Sequence, residues 1–227
     1  MWYNVNTGDT METEIRYYYS MNSKEDILKY LKGNNELEYK GRFYECTDQY
    51  NHPMKEYDFY QKKIDGRFRV RRTIGEDISK CMITWKRRLN DKKEELIHQE
   101  EEVELNIDIN EYDNLCFLLE NVLHLEMVES YERYRSVFSN KEVEIVVDEY
   151  PFGICLEIEN KSNNSNPKLI IEKWLAKLKL DINEAYKLSW DDKYLELCNE
   201  QHKKVESIVR FDKEMPKVTK KFTRSKC

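Results

Sequence analysis

The chain has 227 residues, 38 of them Lys or Arg and 44 Asp or Glu, so 36% are charged and the net charge is −6. An average soluble domain carries about 25% charge; the 40% of apolar residues still suffices for a core and excludes wholesale disorder. No apolar run approaches the ~20 residues of a membrane helix, and Met1-Trp2-Tyr3-Asn4 lacks the basic start and apolar stretch of a secretory signal, which together imply a cytoplasmic, reduced protein without a membrane partner.

In chain order, Met11 to Tyr19 alternates as a strand. Ser23 to Lys32 reads as a helix, with Ser23 as N-cap and Gly33 ending it. Leu37 to Gln49 and Glu56 to Lys63 are predicted strands about a turn at Asn51-His52-Pro53. Asp65-Gly66 turns into a strand over Arg67 to Thr73; Lys80 to Arg88 is the next, and Asn90-Asp91 the next turn. Leu96 to Ile109 is a long strand, and Asn110 caps a helix through Val122. Leu125 to Phe138, Val143 to Tyr150 and Gly153 to Asn160 follow as strands. After the Asn- and Ser-rich link 161–167, Leu169, Ile170, Trp174, Leu175 and Leu178 recur at helical spacing, and further helix covers roughly 183–204. Residues 1–204 thus read as one domain. Residues 205–227 read as a basic tail, disordered in its simplest interpretation, with RNA affinity as the alternative use of its lysines. The layout is α+β, a large antiparallel sheet that can close on itself with flanking, mainly C-terminal helices.

The cysteines, at 46, 81, 116, 155, 198 and 227, form no C-x-x-C pair and have no nearby histidine, which speaks against zinc. No Gly-rich phosphate loop is present. The charged residues are more informative. With period two, Glu12, Glu14 and Arg16 share a strand face, as do Arg67, Arg69 and Arg71, then Lys86 with Thr84, then Glu100, Glu102 and Glu104, then Arg133 and Arg135, and finally Glu157 and Glu159. A solvated outer face explains any one strand. Acid-only and base-only strands recurring along the chain, with Arg favoured, fit instead an inward face that grips phosphates. The pairs Glu12/Glu14 and Glu157/Glu159 each place two carboxylates roughly 7 Å apart on one strand; an all-carboxylate set suits Mg2+ or Mn2+. Removing an acid from such a cluster is expected to raise stability when no metal is bound.

Glu12-Thr13-Glu14-Ile15-Arg16 resembles the E-x-E-x-K opening strand of the CYTH, or triphosphate tunnel metalloenzyme, superfamily. Phe68-Arg69-Val70-Arg71, Thr84-Trp85-Lys86, the acidic strand Glu100 to Glu104, Arg133-Tyr134-Arg135-Ser136, and the run from Asp148 through Gly153 to Glu157-Ile158-Glu159 resemble its later strands, in order. Arg16 stands where Lys is usual. The resemblance implies an eight-stranded antiparallel barrel whose hydrophilic tunnel handles a triphosphate with Mg2+ or Mn2+. On matching positions it implies Glu12, Glu14, Glu157 and Glu159 at the metal, and Arg16, Arg69, Arg71, Lys86, Arg133 and Arg135 on phosphate. Glu102 and Asp148 would orient water or metal, with Lys86 beside them in the chemistry.

Fold does not settle activity. The first reading is hydrolysis of an inorganic, nucleoside, thiamine or RNA 5′-triphosphate; DNA is not an expected partner. The second is a class IV adenylyl cyclase. Cyclases of this kind carry a His-Phe element before the first E-x-E, where this chain has Thr7-Gly8-Asp9-Thr10. The third is a non-catalytic polyphosphate- or nucleotide-binding module, against which the intact carboxylates speak.

Overall fold

The computed structural model describes residues 11–88, 98–164 and 166–223. Strands β1 (Met11–Tyr19), β2 (Glu38–Asn51), β3 (Gly66–Ile74), β4 (Ser79–Arg88), β5 (His98–Ile107), β6 (Glu126–Ser139), β7 (Val143–Tyr150) and β8 (Gly153–Asn160) form one sheet in the order β2-β3-β4-β5-β1-β8-β7-β6. The sheet closes because β2 also pairs with β6, antiparallel, from Glu38↔Ser139 to Asn51↔Glu126. The product is an eight-stranded antiparallel barrel, and closure removes the exposed edges that a strand-rich chain must otherwise protect. The seam contains a register shift at Tyr39/Gly41. Gly41 takes φ +130° there, a backbone conformation that side chains disfavour, and the Phe43 ring lies against the space a Cβ would need.

The helices are α1 (Lys24–Lys32), α2 (Tyr112–Phe117, continued by a π-helical turn to Val122), α3 (Pro167–Leu178) and α4 (Trp190–Glu200). Helices α1 and α3 cover the outer face of β1, β6, β7 and β8. Ile15, Tyr17, Tyr19, Phe138, Ile145, Val147, Ile154, Leu156 and Ile158 meet Ile27 and Leu31 of α1 and Ile170, Ile171, Trp174, Leu175 and Leu178 of α3. Pro167 sits in the first turn of α3, where its missing N–H costs nothing, and Lys179 ends the helix in the left-handed conformation. Leu169, expected on the buried face of this helix, is 55% exposed; Ile171 takes its place. Trp174 is fully buried and its indole N–H donates to Glu142 at 3.0 Å. Trp174→Ala should therefore cost about 3–5 kcal/mol, read as a lowered denaturation midpoint at unchanged denaturant slope; a loss below 1 kcal/mol would contradict this packing.

The structure departs from the sequence reading in several elements. Residues 56–63 do not form a strand. A 3-10 turn occupies Lys55–Tyr57, and the chain then folds onto Asn51, whose side chain accepts from the N–H groups of His52 and Phe59 and donates to Asp58. Such local side-chain bonds offer the backbone an alternative to a ladder. Ser23 holds the N-cap position of α1, as expected, but a 3-10 turn, Met21–Ser23, precedes the helix and the Ser23 hydroxyl makes no capping bond, accepting from the N–H of Phe222. Asp108, not Asn110, caps the turn leading into α2. The expected turn at Asn90-Asp91 lies outside the described residues.

The lysine-rich segment after residue 204 packs onto the barrel. Ile208–Val209 adds a short parallel strand, β9, to β6. Val209, Met215 and Val218 are buried, Val218 N–H donates to Phe152 O, and Phe222 packs edge-on to Tyr19. Gly153 permits this docking, since a Cβ there would lie 2.8 Å from Val218. These widely spaced apolar anchors carry no local period, so composition alone suggests a tail.

Candidate active site

Closure turns the charged strand faces inward. A cavity of about 340 Å3 runs through the barrel, lined among others by Glu14, Arg16, Arg69, Arg71, Lys86, Glu102, Arg133, Arg135, Glu157 and Glu159. The alternating neighbours Ile15, Val70 and Ile158 are fully buried on the outer side. Asp148 is almost inaccessible, bonded to arginines of the same lumen. Glu12 lies on the Glu14 face of β1, in register with Glu100 of β5, but its side chain lies outside the described set. Of the remaining bases on β3, Arg67 lines the cavity while Arg72 points outward, over the Tyr112 ring.

The arginines are held by a row of β2 side chains that the sequence reading passes over. Glu45, Thr47 and Gln49 face inward on alternate positions. Arg133 donates to Glu45 at 2.7 Å, Arg71 Nε to Thr47 Oγ1 at 3.3 Å, and Arg69 Nε to Gln49 Oε1 at 3.0 Å. Their alternation, Glu-x-Thr-x-Gln within a predicted strand, was the available signal. Asp148 grips two arginines: Arg133 Nη1 at 2.8 Å, and Arg135 through Nε and Nη2 at 2.7 and 2.6 Å. An acid expected to orient water or metal is thus committed to two guanidiniums. Glu102 pairs with Lys86 at 3.0 Å, and Glu100 lies 3.8 Å from the same ammonium.

The carboxylates gather on β1, β8 and β7. Glu14 stands opposite Glu159, and Glu159 opposite Glu144, so three acids lie in register on neighbouring strands, all lining the cavity. Like charges directly opposite each other are destabilising. Here Glu14 also ion-pairs with Arg16, and Glu159 with Lys161. Among the described residues no three acidic, His or Cys groups already converge as a metal cage. The donor set, hard oxygens without nitrogen or sulfur, nevertheless fits Mg2+ or Mn2+. Glu144 joins it only through the register.

Around Tyr131 the arginines of β3 and β6 make the field positive. Burial opposes ionisation of the Tyr131 phenol, yet Arg69, Arg133 and Arg71 outweigh it and pull the group below its ordinary value. Burial likewise opposes charge on Glu45 and Glu157. Arg133, Arg71 and Arg135 overcome this at Glu45, as Arg16, Arg135, Arg133 and Lys86 do at Glu157, so both carboxyls sit below the usual range. A depressed carboxyl stabilises the fold above its unfolded pKa and loses that contribution as pH falls through the folded value. Thermal midpoints followed from pH 5 to pH 2.5 should therefore fall more steeply for the wild type than for Glu45→Gln; parallel curves would exclude this contribution.

At one end the lumen becomes aromatic. Tyr18, Tyr131 and Tyr150 face inward and pack with Trp190 of α4, the Tyr131 and Trp190 ring centroids 4.2 Å apart. Ser189 anchors α4 there through a capping box with Asp192. The tryptophans described in full thus serve packing: Trp174 and Trp190 are buried, and Trp85 lies edge-on to Phe59. Cys46, Cys81, Cys116, Cys155 and Cys198 are free thiols, most of them buried. No described helix is long and apolar enough to cross a membrane.

No family model matches the sequence, and no curated protein matches it. Solved structures do match. The PH1819 protein of Pyrococcus horikoshii aligns at TM-score 0.60 and 24% identity over 84% of this chain and 99% of its own. A proposed adenylate cyclase from Vibrio parahaemolyticus aligns at 0.61 and 18%, over 81% and 97%. HpAC1 from Hippeastrum, described as a proposed adenylyl cyclase with a dominant triphosphatase activity, aligns at 0.54 and 18%, over 86% and 98%. At these identities the likeness is one of fold. The chain therefore has the eight-stranded tunnel fold that its CYTH-like motifs imply, and it shares that fold with proteins associated with cyclase and triphosphatase chemistry.

Proposed function

We propose that the protein hydrolyses a triphosphate in a divalent-metal-dependent reaction inside the barrel. The observation carrying this reading is the opposition of arginine-bearing strands β3 and β6 to the acidic wall of β1 and β8 within one cavity. Arg69, Arg71, Arg133 and Arg135, on the two strands that flank β2, hold the phosphate chain, with Arg16 and Lys86 adding charge. Arg16 replaces a lysine of the resembling motif and extends the donor fork. Glu14, Glu157 and Glu159, with Glu12 on the same strand face, would hold Mg2+ or Mn2+. The cation supplies neutralisation of the phosphoryl oxygens. Glu102 accepts from Lys86 and is the carboxylate best suited to orient a water; Asp148 and Glu45 keep the guanidiniums aligned.

A release assay tests this. Protein with Mg2+ or Mn2+ is given tripolyphosphate, ATP, thiamine triphosphate or 5′-triphosphate RNA. Orthophosphate release from any of them supports hydrolysis. Pyrophosphate together with a cyclic nucleotide assigns a cyclase instead, and metal-independent binding without turnover assigns a binding module.

A further inference from the structure

Beyond the phosphate-binding arginines, one polar cluster, built on the buried Gln49 and the half-buried Glu129 and Tyr60, has no role in the reading above. Gln49 of β2 is 1% exposed and links side chains of its two neighbouring strands, being the cross-strand partner of Arg69 on β3 and of Glu129 on β6. Its Oε1 accepts from Arg69 Nε at 3.0 Å, while its Nε2 donates to Glu129 Oε2 at 2.9 Å and to Tyr60 Oη at 2.6 Å. A guanidinium only donates and a carboxylate only accepts, so an amide between them has a single satisfying orientation. Tyr60 accepts from the same nitrogen and holds that orientation whatever the charge on Glu129.

We propose that Gln49 is the positioning residue of the Arg69 guanidinium, and that Glu129, on the far side of the same amide, takes up a proton from solvent when a polyphosphate enters this part of the tunnel. The proposal rests on the reading that the lumen binds a triphosphate. Glu129 is faced by Tyr60, by Arg67 and Arg69 of β3, and by Asp191 and Asp192 of α4. Burial and the neighbouring Asp191 push its carboxyl up to about 7, against the pull of Arg69 and Arg67. A polyanion engaging Arg69 withdraws part of that pull and adds negative charge nearby. Both changes favour the neutral acid, so affinity should fall as pH rises through neutrality.

The test is calorimetric titration of the full chain with tripolyphosphate at pH 7, in two buffers of different ionisation enthalpy. Wild type should take up more protons on binding than Glu129→Gln, by up to about half a proton, because a group near its midpoint is half protonated before binding. The comparison cancels titration of the tripolyphosphate itself. Gln49→Ala should weaken binding roughly tenfold, the value of a hydrogen bond to a charged group. Equal proton uptake in wild type and Glu129→Gln overturns the linkage, and a Gln49→Ala affinity within twofold of wild type overturns the positioning role. Should Gln49→Ala fail to fold, the Glu129→Gln comparison decides alone. Wild type that does not bind tripolyphosphate refutes the functional reading and this inference with it. Wild type that binds, with both variants unchanged, refutes this inference only.

Discussion

Glu157→Ala should abolish orthophosphate release from tripolyphosphate and, unlike Glu159→Ala, should also lower the thermal midpoint. Both residues belong to the proposed cation-binding set, so either loss, like chelation by EDTA, should reduce turnover to background. Their electrostatic settings differ. Glu157 lies 3.6 Å from Arg16 and 3.9 Å from Arg135, and these bases, with Arg133 and Lys86, hold its carboxyl below the usual range. A depressed carboxyl contributes stability at neutral pH. At Glu157 these bases outweigh the repulsion that the sequence-based expectation assumed. Its loss should cost roughly 1–3 kcal/mol, several degrees in a protein of this size. Glu159 faces Glu14 on one side and Glu144 on the other, and ion-pairs with Lys161 at 2.5 Å. There, relief of repulsion offsets the lost pair, and the midpoint should stay within about a degree or two. Activity with either variant, or in EDTA, would end the metal assignment. Equal destabilisation by both would end the distinction between their surroundings.

Arg69→Lys and Arg135→Lys should each lower kcat/KM by roughly ten- to 150-fold, the equivalent of one charge-assisted contact of about 1.5–3 kcal/mol. The charge is conserved, so the loss isolates geometry. The protein holds Arg69 through Nε to Gln49, and Arg135 through Nε and Nη2 to both oxygens of Asp148. Lysine has no Nε donor beside a terminal fork, so its ammonium cannot satisfy the anchoring residue and the phosphate together. If the contact forms equally in ground and transition states the deficit appears in KM, and if it tightens with developing charge it appears in kcat. Wild-type kcat/KM with a shifted melting temperature would show that these arginines only brace the barrel. Lys86 pairs with Glu100 and Glu102, while Glu45 and Asp148 pair with Arg133 and Asp148 also with Arg135.

The period-two arrangement of charge was readable from the chain because strand geometry is local: alternate side chains share a face wherever the strand lies. That is why β1, β7 and β8 appear at the expected residues and why Arg69, Arg71, Arg133, Arg135, Glu157 and Glu159 all reach one cavity. Which face is the inside could not follow from alternation alone. It depends on the β2–β6 pairing between residues about 90 positions apart, and such a contact leaves no periodic trace. The same pairing delivers Glu45 to Arg133 of β6, while the β2–β3 pairing delivers Thr47 and Gln49 to Arg71 and Arg69. Other features were hidden for the same reason. Glu144 joins the acidic row through register with Glu159. Trp190 reaches the lumen because α4 docks on Tyr131 and Tyr150. The lysine-rich C-terminal segment is held by Val209, Met215 and Val218, which join the cluster around Phe152 and Tyr194, and by Phe222, which packs on Tyr19. Local periodicity encoded the strands and their charged faces; long-range pairing and packing decided which groups meet, because contacts between distant segments depend on the closed topology and not on the spacing of neighbours.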